Sequence, residues 1–395
     1  MKRDFLFTSE SVTEGHPDKL CDQISDAIVD AFLMQDPYSS VIAECAASTG
    51  VMFVATRFAS QARVDVAEVA RRIAHQVGYD QGSFRARDAT VMTTFQELTP
   101  SLYSQRDEKT LNDAELEQLS ARHPATVFGY ACNHTSNLMP LPVSLAHRLT
   151  RRLSAVRFEK LLPYLAPDGQ SQVGVEFHNR RPVRIHSISL VASQRAADAV
   201  DPVQLRADLI EQVITPAFRD EAVRPDADTN IWINPYGPVI EGGPALHAGL
   251  TGRKNAVDTY GEYSRHSGSA LSGKDPSRID RIGAYAARYA AKNIVAAGLA
   301  EECEVQLSYA IGLSRPVSVQ VETLGTGRID DDEIRRRLEA HCDFRVGAII
   351  SRFNLRHLPA QVKGGFYRKL GAYGHVGRTD IGLPWEQTDL VAAIR

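Results

Sequence analysis

The sequence predicts an α+β protein whose subdomains are built around separate β-sheets. Paired strand patterns joined by short turns recur along the chain, and amphipathic helices lie between them. At 395 residues the chain is too long for one ordinary domain, because a prior of about 150 residues per domain gives two or three. With 43% hydrophobic and 24% charged residues, the chain can bury a large core.

The first part of the chain predicts a helix, a hairpin and a second helix. After turn-forming residues, apolar side chains recur at every fourth position behind a proline in the first turn, in the order Pro17, Leu20, Ile24, Ile28 and Phe32. Residues 39–48 and 51–58 predict two strands that turn at Thr49 and Gly50. Residues 64–79 place valine and isoleucine near one face of a helix.

The remaining pattern continues the mixture of strands and helices. A second hairpin is predicted to turn at residues 179–181, and a polar segment over 97–121 is the candidate mobile loop or linker. Asp275 is a good N-cap for a helix that runs to Gly298. The other predicted elements are a helix over 202–219, a short buried strand over 229–235, strands over 303–312 and 316–325, and a charged helix over 331–342.

Composition and charge exclude several classes of partner. The net charge of −3 gives no argument for a surface that binds nucleic acid. The five cysteines are scattered without a CxxC pair, which is typical of core cysteines in a reducing compartment. No signal peptide is evident, and no stretch approaches about 18 consecutive apolar residues. We therefore expect a cytoplasmic protein with no membrane or nucleic-acid partner.

The first helix has chemistry at its entrance. His16, Asp18 and Lys19 stand together where free backbone N–H groups attract anions. These residues are either a solvated helix cap or half of a phosphate site. Acidic residues are common in the first turn of a helix, so this stretch alone does not decide between the two.

Residues 237–281 are dense in glycine and charge. Arg253 and Lys254 follow a Gly-Leu-Thr-Gly turn, and Lys274 lies in Ser-Gly-Lys-Asp before a helix. Glycines let backbone N–H groups approach phosphate oxygens, and lysine neutralises their charge. The Walker pattern is not met, because Asp275 replaces the serine or threonine. Asp275 and Asp280 add two carboxylates of the kind that hold Mg²⁺.

Six blocks of the chain resemble S-adenosylmethionine synthetases. They are FTSESVTEGHPDKLCDQISDA, FGYACN, GLTGRKNAVDTYG, SGKDPSRIDRIGAYAARYAAKNIVAAGLA, SYAIG, and AYGHVGR followed by PWE, and the resemblance extends from about residue 5 to residue 388. It implies three structurally similar α/β subdomains with pseudo-threefold symmetry. We expect them at residues 1–104, 122–238 and 239–395, with a variable linker at 105–121.

The resemblance also implies an activity. Members of the family join the sulfur of methionine to C5′ of ATP, expel triphosphate intact and then hydrolyse it. They use two Mg²⁺ ions and K⁺. The resemblance further implies a homodimer, or a dimer of dimers, with active sites between subunits.

Residue roles are carried over by the matching motifs. The implied catalytic residues are His16, Lys19, Arg253, Lys254 and Lys274. The nucleotide would contact His16, Asp168, Glu241, Arg253, Lys254, Lys274 and Asp280. Mg²⁺ would bind Asp18 and Asp280, and K⁺ would bind Glu44. The acceptor would contact Arg57, Gln96, His123, His247 and Arg278.

The chain departs from the family pattern on the acceptor side. Arg57, His123 and His247 stand where the family carries carboxylates. The family's Arg-Phe pair beside adenine aligns with Pro238 and Val239, and a phosphate lysine aligns with Gln170. A methionine ammonium would meet neutral or positive groups, which weakens its binding.

Three functions remain open on the sequence. The chain transfers the nucleoside group to methionine, or it uses the same displacement with another acceptor and possibly another base. An acceptor without an ammonium, or with additional negative charge, suits the altered residues better. The third alternative is a nucleotide-binding regulatory homologue, which the retained phosphate residues disfavour.

Overall fold

The computed structural model describes residues 4–99 and 106–395. Its strands are β1 (Phe5–Val12), β2 (Ser40–Ser48), β3 (Val51–Ala59), β4 (Thr90–Glu97), β5 (Ala125–Cys132), β6 (Leu165–His178), β7 (Arg181–Gln194), β8 (Asn230–Ile233), β9 (Val239–Ile240), β10 (Gly249–Leu250), β11 (Glu302–Tyr309) and β12 (Ser318–Glu322). Both predicted hairpins are confirmed, since β2 pairs with β3 and β6 pairs with β7 in antiparallel fashion.

Helices connect and cover these strands. They are α1 (Pro17–Gln35), α2 (Val66–Val77), α3 (Asp113–Leu116), α4 (Leu141–Phe158), α5 (Pro202–Leu209), α6 (Thr215–Ala217), α7 (Asn255–Asp258), α8 (Ile279–Ala296), α9 (Asp331–His341), α10 (Val346–Phe353), α11 (Leu358–Gln361) and α12 (Val391–Ile394). A π-helical stretch, Ile210–Ile214, joins α5 to α6, so the predicted helix over 202–219 is interrupted in its middle.

The strands of the described residues form three separate sheets, as predicted. Sheet A has the order β1-β6-β7-β8, with β9 also paired to β7. Sheet B has the order β10-β2-β3-β4, and sheet C has the order β12-β11-β5. Each sheet contains a strand from a distant part of the chain, since β1 joins sheet A, β10 joins sheet B and β5 joins sheet C. The predicted subdomain boundaries therefore do not separate the sheets from one another.

Two hydrophobic clusters stabilise this arrangement. The larger one packs α1, α2 and α8 against strands of sheets B and C. The smaller one packs α4, α5 and α6 on one face of sheet A. Leu20, Ile24 and Ile28, the apolar stripe predicted for α1, are fully buried in the larger cluster. Burial of this stripe holds the N-terminus of α1 at a fixed place in the molecule.

Two sequence predictions need correction. The helix expected after Asp275 begins only at Ile279, because the Asp275 carboxylate instead accepts hydrogen bonds from the backbone N–H of Val41 and of Ser277. The strand expected to be buried, β8, lies at the edge of sheet A, and its Trp232 is about half exposed.

The predicted loop over 97–121 is partly described. β4 ends at Glu97, a 3₁₀ turn covers Glu108–Thr110, and α3 lies at Asp113–Leu116. Residues 100–105 of that prediction are outside the described residues.

In the described chain no cysteine forms a disulfide, and four of the five are buried, as expected for core cysteines. Over the same residues, none of the helices has the length and apolar character needed to cross a bilayer.

Candidate active site

The entrance of α1 is fixed by close contacts with sheet A. Pro17 occupies the first turn and His16 is the N-cap residue. A Cβ on Gly15 would lie 2.3 Å from the carbonyl oxygen of Pro167, so this position requires glycine. The Gly-His-Pro sequence therefore brings the His16 side chain against the beginning of β6.

The hydrogen bonding of His16 defines its tautomer. Its Nδ1 accepts a hydrogen bond from the backbone N–H of Asp18 at 3.2 Å, so the proton of the neutral ring is on Nε2. Burial lowers the pKa of His16 to about 4, although the carboxylate of Asp168 acts in the opposite direction. Near neutral pH, His16 is an uncharged donor through Nε2.

Asp18 is held by the Gly-Leu-Thr-Gly-Arg-Lys segment, residues 249–254. Its Oδ1 accepts a hydrogen bond from the backbone N–H of Leu250 at 3.0 Å. A Cβ on Gly249 would lie 2.2 Å from the carbonyl carbon of Pro17, so glycine permits this approach. The pairing of β10 with β2 thereby places Arg253 and Lys254 beside the N-terminus of α1.

These residues surround a cavity of about 330 Å³, which we call the α1 pocket. It is lined by His16, Asp18, Gln170, His247, Ala248, Arg253 and Lys254. Lys254 Nζ lies 3.0 Å from Glu10 Oε1, and Arg253 Nη1 lies 3.8 Å from Asp18 Oδ1. Two cationic side chains, a neutral donor and the N-terminus of a helix thus face one small cavity. Such a set is suited to a ligand with several negative charges.

His247 lies in the α1 pocket and not with the other predicted acceptor residues. Its Nε2 is 3.0 Å from Asp168 Oδ2, which also accepts the backbone N–H of Gly243 at 2.8 Å. The hydrogen bond with Asp168 raises the pKa of His247. The rings of His16 and His247 meet edge to face, with 5.0 Å between centroids.

His16, Asp168 and His247 form a cluster of residue types that can bind metal ions. One ligand atom from each residue lies within 4.8 Å of the others. However, Nδ1 of His16 accepts the Asp18 N–H, and the neutral ring therefore carries a hydrogen on Nε2. The three residues fit a hydrogen-bonding network better than a metal centre. Within this network, the buried Oδ1 of Asp168 has no hydrogen-bond partner among the described residues.

Lys19, a predicted catalytic residue, does not line the α1 pocket. Its side chain is fully buried, and its Nζ donates to Asp22 Oδ2 at 2.9 Å and to Asp258 Oδ1. Burial acts to lower its pKa, but the two carboxylates outweigh burial and raise it. With these contacts, Lys19 is not positioned to contact an anion bound in the pocket. Lys19 instead joins α1 to the end of α7, behind the pocket.

Glu241 also lies outside the α1 pocket. It lines a different cavity of about 500 Å³, and its Oε2 accepts the backbone N–H of Ser83 at 2.8 Å. Its backbone has φ +71°, and it precedes the Gly242–Gly243 turn that contacts Asp168. Glu241, which was predicted to contact the nucleotide, therefore does not line the α1 pocket.

Lys274, Asp280 and His123 form a second group, which we call the Asp280 cluster. Asp280 Oδ2 lies 2.6 Å from Lys274 Nζ and 2.8 Å from His123 Nε2. Burial acts to raise the pKa of Asp280, but the hydrogen bond from His123 and the charge of Lys274 lower it to about 2. Arg278 lies two residues before Asp280, with its Nε 3.8 Å from Asp275 Oδ2.

The remaining predicted residues lie on the open face of sheet B. Arg57 is opposite Gln96 on β4 and opposite Ile42 on β2, and Ile42 forms a β-bridge with Lys274. Arg57 Nη2 is 3.6 Å from Glu44 Oε2, and both side chains are exposed. Arg57, Gln96 and Lys274 therefore belong to one row across the sheet, adjacent to the Asp280 cluster.

Apart from Lys19 and Glu241, the predicted site residues are divided between two places. His16, Asp18, Asp168, His247, Arg253 and Lys254 are at or beside the α1 pocket. Glu44, Arg57, Gln96, His123, Lys274, Arg278 and Asp280 are at the open face of sheet B and its margin. Sequence reasoning did not identify Glu10, which pairs with Lys254, or Asp258, which binds Lys19. The sequence of β1 carried no signal for Glu10, because residues 8–11 are four polar residues in a row and show no alternation.

Comparison with known protein families identifies the class of this fold. The N-terminal domain model of S-adenosylmethionine synthetase matches residues 4–100, the central domain model matches 118–239, and the C-terminal domain model matches 241–387. The chain belongs to the S-adenosylmethionine synthetase family. The resemblance of the sequence motifs and the predicted three-part α/β fold are both confirmed.

Individual relatives extend along the whole chain. It is 47% identical over 409 residues to an S-adenosylmethionine synthase of Gloeothece citriformis, covering 100% of this chain and 97% of that protein. It is 47% identical to the synthase of Thermosynechococcus vestitus, with 99% and 97% coverage. It is 49% identical to that of Acaryochloris marina, with 98% and 96% coverage. Similarity of this extent supports a shared enzyme class.

Proposed function

We propose that this protein transfers the 5′-adenosyl group of ATP to a sulfur acceptor and releases triphosphate. The observation that carries the proposal is the α1 pocket, where the neutral donor His16 lies beside Asp18 and the cations Arg253 and Lys254. The relatives described above are S-adenosylmethionine synthases, so methionine is the first acceptor to test. The test is whether the C5′–O bond of ATP breaks, which an oxygen label on C5′ reports.

The proposed reaction is a single displacement at carbon. A sulfur lone pair forms the S–C5′ bond while the C5′–O bond breaks, and its electron pair stays on the triphosphate oxygen. Arg253 and Lys254 would stabilise that charge, and His16 would donate through Nε2. A thioether is nucleophilic without losing a proton, so the reaction needs no general base.

One divalent cation fits the α1 pocket. Asp18 faces the cavity and uses Oδ1 for the backbone N–H of Leu250, and a carboxylate with phosphate oxygens is the ligand set that Mg²⁺ prefers. When bound, Mg²⁺ would neutralise charge on the triphosphate and ease its departure. The Asp18 side chain would hold the ion at the N-terminus of α1.

The nucleoside end of the substrate would meet Asp168. This residue is more than nine-tenths buried, and its Oδ1 has no hydrogen-bond partner among the described residues. A buried, unpaired acceptor is unfavourable until a donor arrives. A ribose hydroxyl would supply that donor, while His247 and Gly243 keep Oδ2 in place.

We also propose a homodimer formed by the open face of sheet B. One row across its four strands consists of Leu250, Ala46, Phe53 and Met92. Leu250, Phe53 and Met92 are each 42–54% exposed, although they are large and apolar. A second copy on this face would cover them and would lie over Arg57 and Gln96, which are on the same face.

A second candidate differs only in the acceptor. Arg57 and His123 stand where the family pattern has carboxylates, and both now contact the carboxylates of their own chain. These residues favour an acceptor that lacks an ammonium or carries additional negative charge. Under this alternative the chemistry at C5′ and the release of triphosphate are unchanged.

A further inference from the structure

Two carboxylates that the family resemblance assigns to metal ions already lie against basic side chains of this protein. Asp280, the expected second Mg²⁺ ligand, contacts His123 and Lys274. Glu44, the expected K⁺ ligand, contacts Arg57. Both His123 and Arg57 occupy positions where the resemblance expects a carboxylate. The same type of substitution has therefore occurred beside two expected metal ligands.

The contacts of Asp280 do not suit a divalent cation. Lys274 Nζ at 2.6 Å and His123 Nε2 at 2.8 Å converge on the same oxygen, Oδ2. Mg²⁺ requires an octahedron of oxygen ligands, whereas an ammonium only donates hydrogen bonds and has no lone pair to offer. A carboxylate in place of His123 would add two oxygens. The histidine adds a donor that competes with the ion for Asp280.

The contacts of Glu44 do not suit a potassium ion. Glu44 on β2 and Arg57 on β3 are diagonal neighbours on the open face of sheet B, with 3.6 Å between Oε2 and Nη2. A guanidinium has five donors, no acceptor and a permanent charge. Arg57 therefore repels a cation from the place where a glutamate would attract one.

We infer that this half of the site works without metal: Arg57 and Lys274 supply the positive charge that K⁺ and a second Mg²⁺ would otherwise supply, and His123 donates a hydrogen bond to Asp280. The catalytic role of these side chains rests on the proposed function. The number of metal ions bound per chain can be measured whether or not the protein turns over a substrate. The protein then needs one divalent cation, at Asp18, and no particular monovalent cation. Among the described residues, no side chain donates a hydrogen bond to the Asp18 carboxylate, since His16 Nδ1 and Arg253 Nη1 both lie 3.8 Å from it.

The test counts bound ions directly. The protein is saturated with inorganic triphosphate and titrated with Mn²⁺, and free Mn²⁺ is followed by electron paramagnetic resonance. The structure predicts one bound Mn²⁺ per chain, and His123→Asp should raise the number to two. Two ions per chain in the unmodified protein would overturn the inference, whether or not the variant folds.

The monovalent site is tested by thermal unfolding in K⁺, Na⁺ and tetramethylammonium at equal ionic strength. The unmodified protein should unfold at the same temperature in all three salts. Of the three cations, only K⁺ should raise the unfolding temperature of Arg57→Glu. Arg87→Glu, which adds the same charge at another exposed position, should not be stabilised by K⁺. Stabilisation of the unmodified protein by K⁺ alone would contradict the inference. If the protein released no triphosphate from any nucleotide, the proposed function would fail while these binding results would still stand.

Discussion

The ring of His16 accepts a hydrogen bond through Nδ1 from the backbone N–H of Asp18, two residues further along the chain, at 3.2 Å. This contact orients the ring at the N-terminus of α1 and leaves Nε2–H as its free donor. Because burial lowers the pKa of His16 to about 4, the donor stays neutral throughout the range in which a free histidine titrates.

His16→Gln is therefore expected to slow triphosphate release by about 100-fold, the scale for removal of one donor to a developing negative charge. The ratio of parent to variant rates should be the same at pH 6 and pH 8, since a group with a pKa of about 4 is deprotonated at both. The measurement is triphosphate release from ATP in single-turnover experiments. A ratio that changes with a midpoint near pH 6.5 would show that His16 acts as a cation.

Lys19 is expected to act on stability and not on ligand binding. Lys19→Met would leave the buried carboxylates of Asp22 and Asp258 without their shared cation, and breaking a buried pair in this way destabilises a fold by about 3–5 kcal/mol. Adding Asp258→Asn should recover part of that loss, because one uncompensated charge is removed. Urea unfolding measures both effects. Full stability of Lys19→Met with loss of triphosphate binding would instead support a direct catalytic role.

The proposed interface can be broken by one charge in the apolar row of sheet B. Phe53→Lys places an ammonium between Ala46 and Met92, where a second copy would have to bury it. Light scattering should then report a monomer. Phe95→Lys is the matched control, because Phe95 is also an exposed phenylalanine but lies on the opposite face of β4. Dissociation of both variants, or of neither, would rule out this face.

The substitutions on the acceptor side predict weak use of methionine by the unmodified protein. Arg57→Glu and His123→Asp together would restore carboxylates at the open face of sheet B and its margin, where an ammonium group of the acceptor would lie. The KM for methionine should fall at least about tenfold, equivalent to about 1.4 kcal/mol. Mass spectrometry of S-adenosylmethionine gives the rates, with Arg87→Glu as the control for added negative charge. A micromolar KM in the unmodified protein would show that the altered residues do not select the acceptor.

The local sequence predicted the entrance of α1 correctly but not the partners that come from elsewhere in the chain. The Gly-His-Pro-Asp motif contains its own capping geometry, so the positions of His16 and Asp18 followed from helix rules. Lys19 was expected beside them in the pocket. Its burial depends on Asp258, which is 239 residues away and meets Lys19 only in the folded chain.

The same limit explains the other differences. Asp275 has the sequence of a helix cap, but β2 passes close enough for Val41 to donate to its carboxylate, and the helix begins later. His247 was grouped with Arg57 and His123 because all three replace acidic residues. The fold separates them, since β10 brings His247 to Asp168 while Arg57 stays on the open face of sheet B.

The most direct measurement follows the oxygen on C5′ of ATP. ATP labelled with ¹⁸O at the bridge between C5′ and the α-phosphorus is incubated with the protein, Mg²⁺ and a panel of methionine, other thioethers and thiols, and the products are weighed by mass spectrometry. We predict a 5′-adenosyl product without the label, and triphosphate, or the phosphates formed from it, with the label. Label retained on the nucleoside, or no adenosyl product with any acceptor, would contradict displacement at C5′.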